Sequence, residues 1–166
     1  SSLFPNDKII ITDAHDYLLK HFSEYDFIWS SPPCPSHSSI RKNCNNLVDP
    51  LYPDMKLYEE ILLLKHYFKG KYCVENVNPY YKPLIEAKKL QRHLFWCNFP
   101  LNKKRFEADN FTRLEFSKKL DIDLNKFNVP LDKQRTIYRN CVDSYLGKYI
   151  FGMAYHIKQN EIMSYV

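Results

Sequence analysis

Glycine is scarce in this chain of 166 residues, which has only Gly70, Gly147 and Gly152. Phosphate-binding loops of the P-loop and G-x-G-x-x-G types need several closely spaced glycines, so neither loop is present. The sequence also lacks an apolar run of about 20 residues, the length that a membrane-spanning helix requires. We therefore expect a soluble, intracellular protein with no membrane partner.

Cysteine is present, but its spacing does not suit metal binding. The five cysteines are irregularly spaced, and none of them forms a Cys-x-x-Cys pair. This pattern argues against a zinc site, and the odd number argues against a disulfide framework, so we expect reduced thiols and no metal. The formal net charge of +5 suits a polyanionic partner, although ordinary solvated lysines explain such a charge equally well.

Patterns typical of strands and helices alternate along most of the chain. The predicted elements are strands over 8–12, 26–30, 72–77 and 92–99, and helices over 16–25, 54–68, 80–90 and 136–157. The first strand is a continuous β-branched run, as in buried parallel sheets, and the first three elements make a βαβ unit. The sequence therefore predicts an α/β fold.

Residues 100–135 differ from the rest, being charged and poorly periodic apart from a predicted helix over 114–120. We interpret this stretch as a small appendage. The predicted organisation is a core over 1–99, the appendage over 100–135, and a C-terminal helical segment over 136–166 that returns to the core.

Side chains capable of chemistry follow three of the predicted strands. Asp13 follows the first strand, Cys34 follows the second after Pro32-Pro33, and Glu75 lies near the end of the third. In a doubly wound sheet these strand ends share one edge, so the three side chains are expected to converge. Glu75 has a plainer interpretation as an ion pair at the sheet rim, because glutamate is rarely buried alone. A thiolate beside a proton-holding carboxylate suits attack on an electron-poor heterocycle.

Four blocks of the sequence resemble the DNA cytosine-5 methyltransferases in their order and approximate spacing. They are Ser-Pro-Pro-Cys-Pro-Ser-His-Ser at 31–38, Val-Glu-Asn-Val at 74–77, Arg-His-Leu-Phe-Trp-Cys-Asn-Phe at 92–99 and Arg-Asn-Cys-Val-Asp-Ser-Tyr-Leu-Gly-Lys-Tyr-Ile at 139–150. The resemblance runs from about residue 9 to about residue 157. The proline that follows the cysteine resembles the sequence of a phage-like, compact branch of the family. It implies a partial doubly wound, Rossmann-like methyltransferase sheet with a small target-recognition appendage.

The resemblance also implies a reaction and its catalytic residues. Cys34 would add to C6 of a cytosine, Glu75 would bind N3 and the exocyclic amine, and Asn76 would support that loop. Arg92 resembles the arginine on the O2 side of the base, although this block is shortened. The methyl group would pass from S-adenosylmethionine to C5 of a cytosine flipped out of double-stranded DNA, as in the DNA methylation of restriction–modification systems.

Further positions carry the cofactor and DNA contacts that the resemblance implies. The residues implied at the cofactor are Asp13, Pro32, Asn140 and Cys141. The residues expected at the DNA backbone are Ser38, which matches a phosphate-contacting serine, and Arg41 and Lys42, which lie on the same polar loop.

The family's first strand and Gly-rich turn have no counterpart, because no glycine precedes Gly70. We therefore expect a fragment of a longer enzyme or one subunit of a split enzyme, in which a second polypeptide carries the missing motifs. The alternative is a catalytically inactive DNA-binding homologue or regulatory subunit. An unrelated thiol enzyme would need a partner histidine, and neither His37 nor His93 has a diagnostic spacing. The expected location is the cytoplasm of a bacterium or of a phage-infected host.

Overall fold

The computed structural model describes residues 7–38, 52–102 and 124–156, which form a mixed α/β structure. Its helices are α1 (Ala14–His21), α2 (Lys56–Tyr67), α3 (Leu131–Asn140) and α4 (Ser144–Tyr155), and its strands are β1 (Phe27–Ser30), β2 (Lys71–Val77), β3 (Lys88–Leu90) and β4 (His93–Cys97). The helix predicted over 114–120 lies outside these residues. Among the described helices, none combines the length and the apolar character that crossing a membrane requires.

The four strands form one open sheet in the order β1-β2-β4-β3. β1 and β2 are parallel, with Ser30 opposite Val74. β2 and β4 are antiparallel, with Val77 opposite His93. Because β1 and β2 run in the same direction, their carboxyl ends lie at the same edge of the sheet. The predicted α/β class is confirmed, and the doubly wound, Rossmann-like arrangement stays a prediction.

Gly70 allows β2 to start close to the beginning of β1. A side chain at Gly70 would collide with the carbonyl oxygen of Asp26. The amide of Lys71 donates to that same oxygen at 2.9 Å and starts the parallel pairing. The glycine is therefore needed for close approach of two backbone segments.

The predicted helix over 54–68 is confirmed as α2, which supplies much of the core of the first half of the chain. Leu57, Ile61 and Leu64 are at most 2% exposed and pack in one cluster with Ile28 of β1 and Val74 of β2. Their spacing of three and four residues places them on one helix face. α2 also contacts α1 and β2.

The strand predicted over 8–12 is wrong. The segment forms no strand, and Ile9, Ile10 and Ile11 are 54%, 43% and 98% exposed. β-branched residues favour strands chiefly through packing against neighbouring strands, so the run alone does not make one. The predicted βαβ unit is therefore reduced to α1 followed by β1.

The helix predicted over 80–90 is also wrong. The chain is irregular there until it enters β3, and Gln91 and Arg92 connect β3 to its neighbour β4. Pro83 explains the failure, because proline lacks an amide donor and disfavours helical conformation in the residue before it. Trp96 of β4 holds the segment in place, since its Nε1 donates to the carbonyl of Ile85 at 2.9 Å.

The described residues divide into two compact units. The first contains the residues up to Lys89 together with His93–Asn98, and the second contains Leu90–Arg92 and the residues from Phe99 onward. The single helix predicted over 136–157 is instead two helices of the second unit. α3 ends at residue 140, and α4 begins after its N-cap residue, Asp143. The side chain of Asp143 accepts from the Tyr145 amide at 2.9 Å, as an N-cap does.

Candidate functional site

The thiol of Cys34 lies on a rigid turn directly after β1. Pro32 and Pro33 precede it and restrict the backbone. The carbonyl of Cys34 accepts from the amides of His37 at 3.0 Å and Ser38 at 3.1 Å, so a closed turn begins at the cysteine. The Cys34 side chain is half-buried. This position, at the carboxyl end of a strand, is where open α/β sheets bind ligands.

Asn76 joins this turn to the neighbouring strand β2. Its Nδ2 donates to the carbonyl of Pro32 at 3.0 Å, and its Oδ1 accepts from the Val77 amide at 2.9 Å. The side chain is 2% exposed, so both bonds are shielded from water. The bond connects the residue two before Cys34 to the residue next to Glu75. The support that the sequence predicted from Asn76 is therefore present.

The other end of the turn is also attached to residues that follow β2. The Tyr80 amide donates to the carbonyl of His37 at 3.2 Å, and Ser38 forms an isolated antiparallel bridge with Pro79. Ser36 Oγ accepts from the amide of Asp54 at 3.0 Å. Ser38, predicted to contact a phosphate, is thus half-buried in this bridge, and its phosphate contact stays a prediction.

Glu75 is buried in β2 and pairs with His93 of β4. Oε1 of Glu75 lies 3.5 Å from Nε2 of His93, and the two residues are 8% and 7% exposed. The register explains the contact, because Val77 is opposite His93 and alternate residues of a strand face the same side. Sequence reasoning missed His93 because its partner becomes visible only when β4 is placed antiparallel to β2.

Arg92, predicted at the O2 side of the base, lies in the turn before β4 and is half-buried. It belongs to the second compact unit, whereas Glu75 and His93 both belong to the first. The role of Arg92 stays a prediction.

A cavity of about 550 Å³ lies beside the end of β1. Its lining includes Asp13 and Pro32, both predicted to bind the cofactor, and the aromatic residues Tyr17, Tyr25 and Trp29. The volume is in the range of small-molecule sites, and aromatic walls with a few polar groups are typical of them. The structure thus brings Asp13 and Pro32 together around one space.

Asp13 is also the N-cap of α1. Its Oδ1 accepts from the amide of Asp16 at 3.0 Å. This bond, made to the charged form, is the main reason why the pKa of the Asp13 carboxyl lies below its ordinary value. The carboxylate at the cavity is therefore ionised at neutral pH.

The carboxylate of Glu60, which also lines the cavity, is buried, and each of its two oxygens has a polar partner. Ser30 Oγ donates to Oε2 at 2.5 Å, and His15 Nδ1 lies 3.0 Å from Oε1. The other ring nitrogen of His15 lies 3.2 Å from a carboxylate oxygen of Glu59. This cluster was not predicted from the sequence, because Glu59 and Glu60 are adjacent glutamates and only the fold buries one of them, Glu60, at 3% exposed.

The other predicted site residues are described only in part. Cys141 follows α3 and is half-buried, and burial raises the pKa of its thiol. The side chain of Asn140 and the whole of Arg41 and Lys42 lie outside the described residues. The roles of these four residues stay predictions.

A scan against protein-family models and searches of curated proteins and of solved structures each found no match. Within residues 7–38, 52–102 and 124–156, no group of three or more His, Cys, Asp and Glu side chains is arranged to hold a metal ion. The site is therefore characterised by its own geometry. A half-buried thiol lies on a rigid turn, a carboxylate–imidazole pair is buried in the sheet, and a ligand-sized cavity adjoins the prolines before the thiol.

Proposed function

We propose that this chain carries the catalytic residues of a DNA cytosine-5 methyltransferase. The observation that supports this most is the hydrogen bond from Asn76 to Pro32. It ties the Pro-Pro-Cys turn to the Glu-Asn segment at the shared edge of two parallel strands. A thiol and a carboxylate tied together in this way suit simultaneous contact with one heterocyclic ring.

In this proposal Cys34 is the nucleophile. Its sulfur forms a bond to C6 of the cytosine, and the electron pair moves toward C5. The side chain of Glu75 binds N3 and the exocyclic amine and so stabilises the altered ring. After C5 has taken up a methyl group, loss of the C5 proton returns the electron pair, and the bond between C6 and the sulfur of Cys34 breaks.

S-adenosylmethionine is the proposed methyl donor, and it supplies an electrophilic methyl group when it is bound. The cavity beside β1 fits an adenosyl-sized ligand in volume and in its aromatic lining. Asp13 would accept from the amine of the adenine, and Pro32 would lie against the cofactor. Asn140 and Cys141 are proposed for its methionine end on the sequence resemblance alone.

Double-stranded DNA is the proposed substrate. A thiol on a turn at a sheet edge does not reach a base inside a duplex, so the cytosine must be flipped out. Ser38, Arg41 and Lys42 are proposed to contact the backbone phosphates around the extruded nucleotide. The net charge of +5 is consistent with a polyanionic partner.

A second polypeptide, or a further part of a longer chain, is proposed to supply the cofactor-binding motifs that this sequence lacks. The proposal rests on the absence of any glycine before Gly70, since the family's first strand ends in a Gly-rich turn. The proposed location is the cytoplasm of a bacterium or of a phage-infected host.

The test is covalent trapping. The complete chain, together with any polypeptide that co-purifies with it, is incubated with S-adenosylmethionine and a random-sequence duplex that contains 5-fluorocytosine. Fluorine cannot leave C5 as the proton does, so the covalent complex accumulates and is detected by intact mass. Cys34→Ala should abolish the complex, and Cys97→Ala, which alters another half-buried thiol, should preserve it.

Absence of the complex from every assembly contradicts the proposed activity. DNA binding without a covalent complex and without cofactor binding would instead support the alternative, a catalytically inactive DNA-binding homologue or regulatory subunit.

A further inference from the structure

His37 is among the most buried polar residues in the described part of the chain, at 1% exposed. Its Nδ1 lies 2.6 Å from the hydroxyl oxygen of Tyr81, which follows β2. Buried polar groups in folded proteins are almost always hydrogen-bonded, so this pairing accounts for one ring nitrogen. Neither residue has a role in the function proposed above.

The bond belongs to a chain of hydrogen bonds that starts at the backbone amide of Leu84 and passes through two tyrosine hydroxyls. The amide of Leu84 donates to the hydroxyl oxygen of Tyr58 at 3.2 Å, and the Tyr58 hydroxyl donates to that of Tyr81 at 3.2 Å. The Tyr81 oxygen thus accepts from Tyr58, and the single Tyr81 proton is available to the nearby Nδ1 of His37. When Nδ1 accepts that proton, the proton of the neutral ring is on Nε2, a buried nitrogen for which the described residues provide no hydrogen-bond partner.

The ring is neutral at neutral pH. Burial lowers the pKa of His37, while the carboxylate and backbone of Asp54, which also face the ring, oppose this shift. Burial is the main reason why the pKa of Tyr81 lies well above its ordinary value. A neutral ring can accept at Nδ1, and it loses this ability when it gains a second proton.

The backbone of His37 is attached on both sides. Its amide donates to the carbonyl of Cys34 at 3.0 Å, and its carbonyl accepts from the amide of Tyr80 at 3.2 Å. His37 thus connects the turn that starts at the thiol to the segment that follows β2. Since Asn76 makes the corresponding connection before the thiol, Cys34 lies between two attachments, one to β2 and one to the segment that follows β2.

We propose that His37 and Tyr81 are positioning residues for the nucleophile and hold the turn after Cys34 in register with Glu75. This role rests on the proposed methyltransferase function, because it matters only if the thiol and the carboxylate act on one ring. Displacement of a reacting group by about 1 Å can lower a rate by about 100-fold. Holding both ends of the turn prevents such a displacement.

Three variants test the role in the covalent-trapping assay. Tyr81→Phe removes the donor, and His37→Gln places its amide near the position of Nε2. Both should slow complex formation at saturating DNA by about 10- to 100-fold, with DNA affinity unchanged. His37→Asn keeps an acceptor near the position of Nδ1 and should restore most of the rate. Tyr80→Phe is the matched control, because the hydrogen bond of Tyr80 to this turn uses only its backbone.

A second measurement does not depend on activity. The ¹⁵N chemical shifts of the His37 ring in the complete chain report which nitrogen carries the proton. The wild type should show the proton on Nε2, and Tyr81→Phe should show a mixture of tautomers. Melting temperatures of all variants are recorded, so that a folding defect is not mistaken for a loss of positioning.

Each contrary result has a distinct meaning. A wild-type proton on Nδ1 overturns the chain of hydrogen bonds. Equal rates for wild type and Tyr81→Phe, or equally slow rates for His37→Asn and His37→Gln, overturn the positioning role while leaving the methyltransferase function intact. A complete lack of covalent complex from the wild type overturns the proposed function and this role with it, whatever the ring spectrum shows.

Discussion

The carboxylate of Glu75 and the imidazole of His93 lie on neighbouring antiparallel strands, with Oε1 3.5 Å from Nε2. Both side chains are about nine-tenths buried, at 10% and 9% exposed. A carboxylate at this depth is costly unless polar partners compensate it. His93 is therefore a polar partner of the buried Glu75 carboxylate.

Replacing His93 should affect both stability and chemistry. We expect His93→Leu to lower the free energy of unfolding by about 1–3 kcal/mol, because the buried carboxylate loses a polar neighbour. Urea unfolding of His93→Leu, Glu75→Gln and the double variant measures the coupling between the two residues. The covalent-trapping rate should fall in both single variants. Strictly additive changes in unfolding free energy would show that the pair does not interact.

Asn76→Asp tests the connection between the two strand ends. The aspartate keeps an acceptor for the Val77 amide but places an oxygen against the carbonyl of Pro32, where Asn76 now donates. We expect a loss of about 1–3 kcal/mol in unfolding free energy. The trapping rate should fall by about 10-fold or more. Asn78→Asp is the control, because Asn78 is exposed two residues further on, and it should leave both quantities unchanged.

Asp13 has a structural role and a proposed ligand role that two variants separate. Asn is a good N-cap, so Asp13→Asn should keep the melting temperature near that of the wild type, whereas Asp13→Ala should lower it. If the carboxylate binds the cofactor, both variants should weaken binding of S-adenosylmethionine in equilibrium dialysis of the active assembly. Wild-type affinity in Asp13→Asn would exclude a requirement for the charge.

The N-cap bond of Asp13 also predicts a pH dependence with a definite sign. Its pKa lies below the ordinary carboxyl value, chiefly because the Asp16 amide binds the charged form. A carboxyl with a lowered folded-state pKa stabilises the fold above its unfolded pKa and loses that effect as pH falls through the lowered value. The difference in melting temperature between wild type and Asp13→Asn should therefore change only in acid.

Cys73 should react slowly with alkylating reagents. It is fully buried, and burial is the main reason why the pKa of its thiol lies well above the ordinary value. The thiolate is the reactive form, so little of Cys73 is reactive at neutral pH. Iodoacetamide labelling of the native protein, followed by peptide mass spectrometry, should modify the half-buried Cys34 well before Cys73. Equal labelling rates would contradict the burial of β2.

Much of the secondary structure was predictable because the patterns are strong. The apolar face of α2 repeats every three to four residues, and β2 and β4 each contain a short apolar run, at 72–74 and 94–97. Two of the failed predictions have local causes. The isoleucines of residues 9–11 show strand propensity without a neighbouring strand, and Pro83 interrupts a stretch that otherwise resembles a helix.

The residues of the candidate site also fall into two groups, those that could be found from the sequence and those that could not. Cys34 and Glu75 were found from sequence because each follows or ends a recognisable strand. His93, Glu60 and the bond between His37 and Tyr81 were not found, because their partners are distant in the chain. Glu60, for example, is 45 residues from His15, and His37 is 44 residues from Tyr81.

The sequence by itself determined the α/β class, the main helix, most of the strands, and the placement of a thiol and a carboxylate after neighbouring strands. These depend on local propensity and periodicity, which a single chain segment expresses. Only the tertiary structure decided which groups surround that thiol and carboxylate: Asn76 and His37 on either side of Cys34, and His93 beside Glu75. Strand order and register bring these residues together, and both are set by packing and hydrogen bonding between segments that are far apart in the chain.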